Sequence, residues 1–209
     1  MHLMDYPFDT VGLSAETVDL FHDTYTTLQQ KFNIQPTGNI DFHLEDFELF
    51  RNYASTNLRG SFVIKNSRTD CYILFVELEY TIVSGGRSGD THHKEYQTWA
   101  LAYLKHDFGR ILIRKETLAD KIIELVHPVE IDFPDDKAFS DTFYVEANDF
   151  NKAFANIGRD FRNAVMDVRH DDFLIEIADH TLIIGDKKPV FPGRAVHLAD
   201  FVTRLCSNC

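Results

Sequence analysis

The chain has 209 residues, with apolar types at 44% and charged types at 26%, a balance that excludes wholesale disorder and fits one ordinary domain, or one domain with a helical extension. Its formal charge of −12 opposes non-specific nucleic-acid binding, which rests on phosphate neutralisation, and opposes docking on anionic lipid. Three cysteines exclude a disulfide framework and fit a reducing compartment.

Residues 14 to 32 read as a helix, because Val18, Phe21, Tyr25, Leu28 and Phe32 recur at steps of three and four. Ser14 is the expected N-cap and Glu16 suits the helix dipole. Residues 41 to 54 also look helical, with Phe42, Phe47 and Phe50 set among acids. The Gln35-Pro36-Thr37-Gly38-Asn39 punctuation lies between these two segments and is the expected boundary between a helical N-terminus and a strand-rich body.

From Ser61 the period changes to two. Ser61 to Lys65 is a short strand, and 66 to 70 carries turn chemistry. Cys71 to Val83 is a long strand whose even positions are apolar throughout; its odd positions turn polar at Glu77, Glu79 and Thr81, so that face should become wet. After a Gly/Ser turn, Glu95 to Leu104 returns with Tyr96, Trp99, Leu101 and Tyr103, and Ile111 to Arg114 follows. Thr117 to His127 reads as a helix stopped by Pro128. Val129 to Phe133 and Thr142 to Glu146 are short strands. Asp149 caps a helix, Gly158 breaks it, and a second runs from Asp160 to Val168. Phe173 to Ala178 and Thr181 to Ile184 form a closing hairpin, and Arg194 to Leu205 is a final amphipathic helix.

Hairpins in runs, rather than regular strand-helix alternation, predict an α+β fold with a largely antiparallel sheet and helices flanking it at both ends. The expected division is a helical extension over 1–54 packed on an α+β body over 55–209. No run reaches the ~20 apolar residues of a membrane helix. Met1 to Tyr6 lacks the basic-then-apolar pattern of a signal peptide, so the expectation is a soluble cytoplasmic protein.

A set of short motifs carries a resemblance: Glu79-Tyr80-Thr81, the Gly85 to Gly89 turn, Gln97-Thr98, Ile131-Asp132-Phe133, Phe139-Ser140, Phe143-Tyr144 and Asp149. Over roughly residues 58 to 184 the chain resembles a family of uncharacterised bacterial proteins known only as a domain of unknown function, many with N-terminal membrane spans. The resemblance implies a bacterial protein and transfers no catalytic residue. The chain departs from the family in having helices over 1–54 where relatives carry spans.

Several constellations invite chemistry. The Gly85 to Gly89 loop with Arg87 could cradle an anion, but it lacks Gly-Lys and leads into a strand, not a helix. Cys206-Ser207-Asn208-Cys209 follows a helix C-terminus, where the partial charge disfavours thiolate, and with Cys71 it makes only three thiols. His92-His93, His106 beside Asp107, and His170 beside Asp171 offer metal or general-base pairings at strand ends. Acids cluster at Glu45-Asp46-Glu48, at Asp132, Asp135 and Asp136, and at Asp171-Asp172. Asp132 stands out because it alternates between Ile131 and Phe133. Trp99, Arg87 and Asp132 are the candidate binding residues.

Two function classes follow. The first is a non-enzymatic binding or scaffold module that recognises a protein partner through the aromatic strand face or the N-terminal helix. The second is a metal-dependent hydrolase working through His92, His93, His106 or His170 with nearby aspartates. A third, association with a membrane protein complex, follows from the family's anchored members. No motif calls for a cofactor or a resident metal, and oligomeric state is not readable from the sequence.

Overall fold

A computed structural model describes residues 6–65, 70–82, 91–115 and 128–208. Its elements run α1 (Ala15–Lys31), β1 (Ile34–Pro36), two 3-10 turns (Leu44–Asp46 and Glu48–Phe50), β2 (Ser55–Ile64), β3 (Cys71–Ile82), β4 (Thr91–Tyr103), β5 (Arg110–Lys115), β6 (Val129–Glu130), α2 (Lys137–Ser140), β7 (Phe143–Ala147), α3 (Phe150–Asn156), α4 (Arg159–Asp167), β8 (Leu174–Ala178), β9 (Thr181–Pro189) and α5 (Pro192–Asn208). The strands form one sheet ordered β1-β2-β3-β4-β9-β8-β5-β7-β6. Every recorded pairing is antiparallel. This is the α+β architecture expected from the hairpin pattern, with helices at both ends of the chain.

Alternation along the strands divides the sheet into two faces. On one face Ile73, Phe75, Ala100, Ile113, Ile177 and Ile184 pack under Phe21 and Leu28 of α1, Phe161 and Val165 of α4, and Phe201 and Leu205 of α5. Ser14 caps α1 as its spacing predicts, its Oγ accepting from the Thr17 N–H at 3.1 Å. Asp149 caps α3 in the same way through the Lys152 N–H.

On the opposite face Leu74, Val76, Leu78, Trp99, Leu101, Leu112 and Ile183 are covered by an irregular strap carrying Phe42, Leu44, Phe47, Leu49 and Phe50. Burying those five side chains gains roughly 8–15 kcal/mol. Ordering the backbone from Phe42 to Phe50 costs roughly 9–18 kcal/mol. The strap is therefore close to break-even on apolar contact, and polar anchors decide whether it stays down.

The structure departs from expectation in several places, of which four bear on the buried charges and the strap. Residues 41–54 hold two 3-10 turns rather than a helix: an α-helix would point Phe42, Leu44, Phe47, Leu49 and Phe50 to different sides, and an irregular backbone buries all five on one sheet face. β2 begins at Ser55, six residues before the alternation becomes apolar, with a register shift at Arg59 between Leu58 and Gly60. The strand after Pro128 stops at Glu130, because the Phe133 N–H turns to the Ser140 hydroxyl. Glu77, expected on a wet face, is buried. The Thr117–His127 helix, the Gly85–Gly89 turn and most of the 66–70 turn fall outside the described residues.

Candidate functional site

Four charged residues are buried among the described residues: Glu77, Arg162, Glu176 and Asp186. An ionised side chain costs several kcal/mol to desolvate unless partners compensate, so each marks a place where the fold concentrates polar energy.

Glu176 comes from β8 and lies beneath the strap with 0% exposure. Its two oxygens accept the N–H groups of Glu48 at 2.8 Å and Leu49 at 2.9 Å, the free donors at the start of the second 3-10 turn. Arg110 Nη1 stands 3.9 Å from Oε1 and donates to the Asp46 carbonyl. Burial pushes the Glu176 carboxyl up to about 7, against the opposing pull of the two N–H bonds and Arg110.

Beside this clasp, a cleft of about 260 Å³ opens at the end of the sheet, lined among others by Phe42, His43, Tyr103, Arg110, Asp179 and His180. It has the mixed chemistry of a binding site. However, Arg110 is already engaged with the strap, and Glu176 is sealed from solvent below it.

The other three buried charges follow the same rule. Glu77 holds Arg59 at 2.6 Å and Lys94 at 3.1 Å, and Arg59 in turn reaches Asp9 at 2.6 Å, tying the N-terminal segment to the sheet. Burial alone would raise the Glu77 carboxyl, but Arg59 and Lys94 outweigh it and hold it below the usual range. Arg162 of α4 reaches Asp135 at 2.7 Å and Asp136 at 3.0 Å and lies over the Phe133 ring at 4.7 Å. It thereby fastens the loop between β6 and α2. Asp186 of β9 faces Arg194 of α5 at 3.3 Å and accepts the Lys188 N–H; burial raises its carboxyl.

The residues singled out from the sequence do not converge. His92 lies at one end of β4 and His106 beyond the other, roughly 40 Å apart for a strand of that length. His92, His106 and His170 are exposed, and His93 stacks on Tyr80 at 5.4 Å. Asp132 is exposed. Trp99 is 2% exposed, its ring edge-on to Phe50 at 5.0 Å and its Nε1–H donating to Gln97. The aromatic strand face is thus covered by the strap, and the inner face of α1 is packed in the core. Arg87 and Cys209 lie outside the described residues. Cys206 is buried against Cys71, whose Sγ–H donates to the Val202 carbonyl.

Two features were missed in the sequence. Glu176 was signalled by an acid inside the apolar run Phe173-Leu174-Ile175-Glu176-Ile177. Asp41, His43 and Glu45, at alternate positions, bring one ligand-type atom each within 4.8 Å of one another. All three are exposed, the ordinary condition of solvated side chains.

No family model and no curated protein matches the chain. Among solved structures, the mycobacterial trehalose monomycolate transport factor A, TtfA, is similar over 90% of this chain and 93% of its own, with a TM-score of 0.56 and 6% identity. At that identity the likeness is one of fold. Among the described residues, no helix is long and apolar enough to cross a membrane.

Proposed function

We propose that the chain is a non-enzymatic binding or scaffold module of bacterial origin, cytoplasmic, whose partner is another protein. The observation that carries this reading is the use made of the buried charges. Glu77, Arg162, Glu176 and Asp186 each hold one loop, strap or chain end in place. A general base or nucleophile needs a free face toward substrate, and the oxygens of Glu176 are instead occupied by the strap's backbone. The spread of His92, His93, His106 and His170 supports the same reading. The fold likeness to a protein named a transport factor is compatible with it and specifies no partner.

The test is a turnover screen with chromogenic ester, phosphate-ester and peptide substrates, with and without added Zn²⁺ or Mn²⁺. The expected result is no turnover that distinguishes the wild type from a variant with His92, His93, His106 and His170 all changed to Ala. Turnover lost in that variant would overturn the proposal in favour of a metal-dependent hydrolase. Turnover retained in that variant but lost in Glu176→Gln would overturn it in favour of a carboxylate enzyme.

A further inference from the structure

The cleft of about 260 Å³ beside the clasp is built at the end of the sheet face that the strap covers. Tyr103 of β4 and Arg110 of β5 flank it, paired with Thr181 and Ala178 on either side of the β8–β9 hairpin. That hairpin turns through Asp179 and His180, and a neighbouring loop pins its backbone. The Asp179 N–H donates to the Gly109 carbonyl at 2.8 Å, while the Asp179 and His180 carbonyls accept from Phe108 at 2.9 Å and Leu104 at 2.6 Å. The strap closes the cleft with His43 and Asp46. Among the described residues, His43 and Asp179 are the two non-glycine positions with left-handed backbone, at φ 51° and 54°. Both line this one cleft. Such backbone is uncommon away from glycine and collects at ligand sites.

The charges that line the cleft do not satisfy one another. Arg110 spends one nitrogen, Nη1, on the Asp46 carbonyl and on Glu176 beneath. Its Nε and Nη2, the edge that meets a carboxylate through two parallel bonds, have no partner among the described residues. The Asp46 and Asp179 side chains are exposed, and among the described residues neither carboxylate accepts a hydrogen bond or forms an ion pair. The Tyr103 ring, 44% exposed, adds an apolar wall. A lone anion here meets two carboxylates, and a lone cation meets the guanidinium. A molecule that carries both signs satisfies all three groups. The volume is that of about nine water molecules, room for one free amino acid.

We propose that this cleft binds a free α-amino acid with an apolar side chain, its carboxylate on Arg110, its ammonium on Asp46 and Asp179, and its side chain against Tyr103. The ligand touches strap and hairpin together, so its binding holds the strap closed. The inference goes beyond the protein-binding reading and does not depend on it.

The test is isothermal titration of the full chain with L-leucine, L-isoleucine and L-phenylalanine, and with the N-acetyl and the amide derivative of each, which lack the ammonium or the carboxylate. The expected result is saturable binding of at least one amino acid, weakened about tenfold or more in each of its derivatives. Asp46→Asn/Asp179→Asn should weaken the amino acid by about tenfold and leave its N-acetyl derivative unaffected. Both changes are at exposed side chains, asparagine tolerates the left-handed backbone at 179, and Arg110 keeps its hold on the strap. Amide exchange at Glu48 and Leu49 should slow when the amino acid is bound. No saturable binding by any of the three amino acids would overturn the proposal. Binding that the double variant retains in full would place the site elsewhere and overturn it too. Derivatives that bind as tightly as their parent would overturn the assignment to a molecule of both charges, and unchanged exchange on binding would overturn the link to the strap.

Discussion

Leu49 and Glu176 are 127 residues apart in the chain, yet the Leu49 N–H donates to the Glu176 carboxylate at 2.9 Å. That bond, with its neighbour from Glu48, places a charge-bearing group where apolar contact alone leaves the strap near balance. The clasp links a central strand to a segment with almost no regular structure, and it makes the strap's hold dependent on one ionisable side chain.

The first prediction concerns pH. The Glu176 carboxyl is raised from an ordinary 4.5 to about 7. Between those values the folded chain holds a proton that the unfolded chain has released. Stability from this group is therefore greatest below 4.5, falls as pH rises toward 7, and is flat above. The loss is roughly 3 kcal/mol. Urea unfolding at about pH 5 and about pH 8 should show that slope in the wild type and lose it in Glu176→Gln, which does not titrate. Glu77, held low by its cations, works in the opposite sense and contributes stability that is lost only on acidification below the usual carboxylate range.

Gly185 sits beneath Trp99, where an added Cβ would stand 2.5 Å from Cδ2 of the indole. Gly185→Ala should cost about 1–3 kcal/mol through overpacking. Gly185→Ala/Trp99→Leu should cost less than the two single changes summed, because the smaller side chain vacates the space. Trp99 is the chain's one tryptophan, so in Gly185→Ala its fluorescence should shift toward that of the unfolded chain.

Arg162 is buried, while of its two partners Asp135 is mostly exposed and Asp136 is partly so. Removing the arginine therefore leaves no sealed, unpaired charge, and Arg162→Ala should cost about 1–3 kcal/mol rather than the full penalty of a broken buried pair. Arg162→Met, which keeps the apolar stem over Phe133, should be milder. Chemical denaturation of both variants checks the order.

Cys71 and Cys206 are both buried, and contact with Cys206, then burial, raises the Cys71 thiol. Neither should react with iodoacetamide in the native state at about pH 8, and both should react after unfolding. Peptide mapping of the labelled chain reads this directly.

The α+β class, the caps at Ser14 and Asp149, and the closing hairpin were legible because each depends on local chemistry. The strap was not. Phe42, Phe47 and Phe50 can share one helix face, but Leu44 and Leu49 cannot join them there, and burying all five on one side of the sheet takes an irregular backbone. Glu77 and Glu176 were also hidden, because a strand's alternation assigns each residue a face without revealing which cation or backbone segment will cover it. Histidine beside aspartate is a signal of sequence adjacency, and the 13-residue length of β4 sets His92 and His106 far apart at its two ends.

The most direct test of the account is amide hydrogen exchange over residues 42 to 54, comparing the wild type with Glu176→Leu. If buried charges serve as clasps, the Glu48 and Leu49 amides should lose protection in the variant by several orders of magnitude while β3 and β4 keep theirs. Unchanged protection of those two amides would show that the strap holds without Glu176, and would contradict the assignment of that buried carboxylate to structure rather than chemistry.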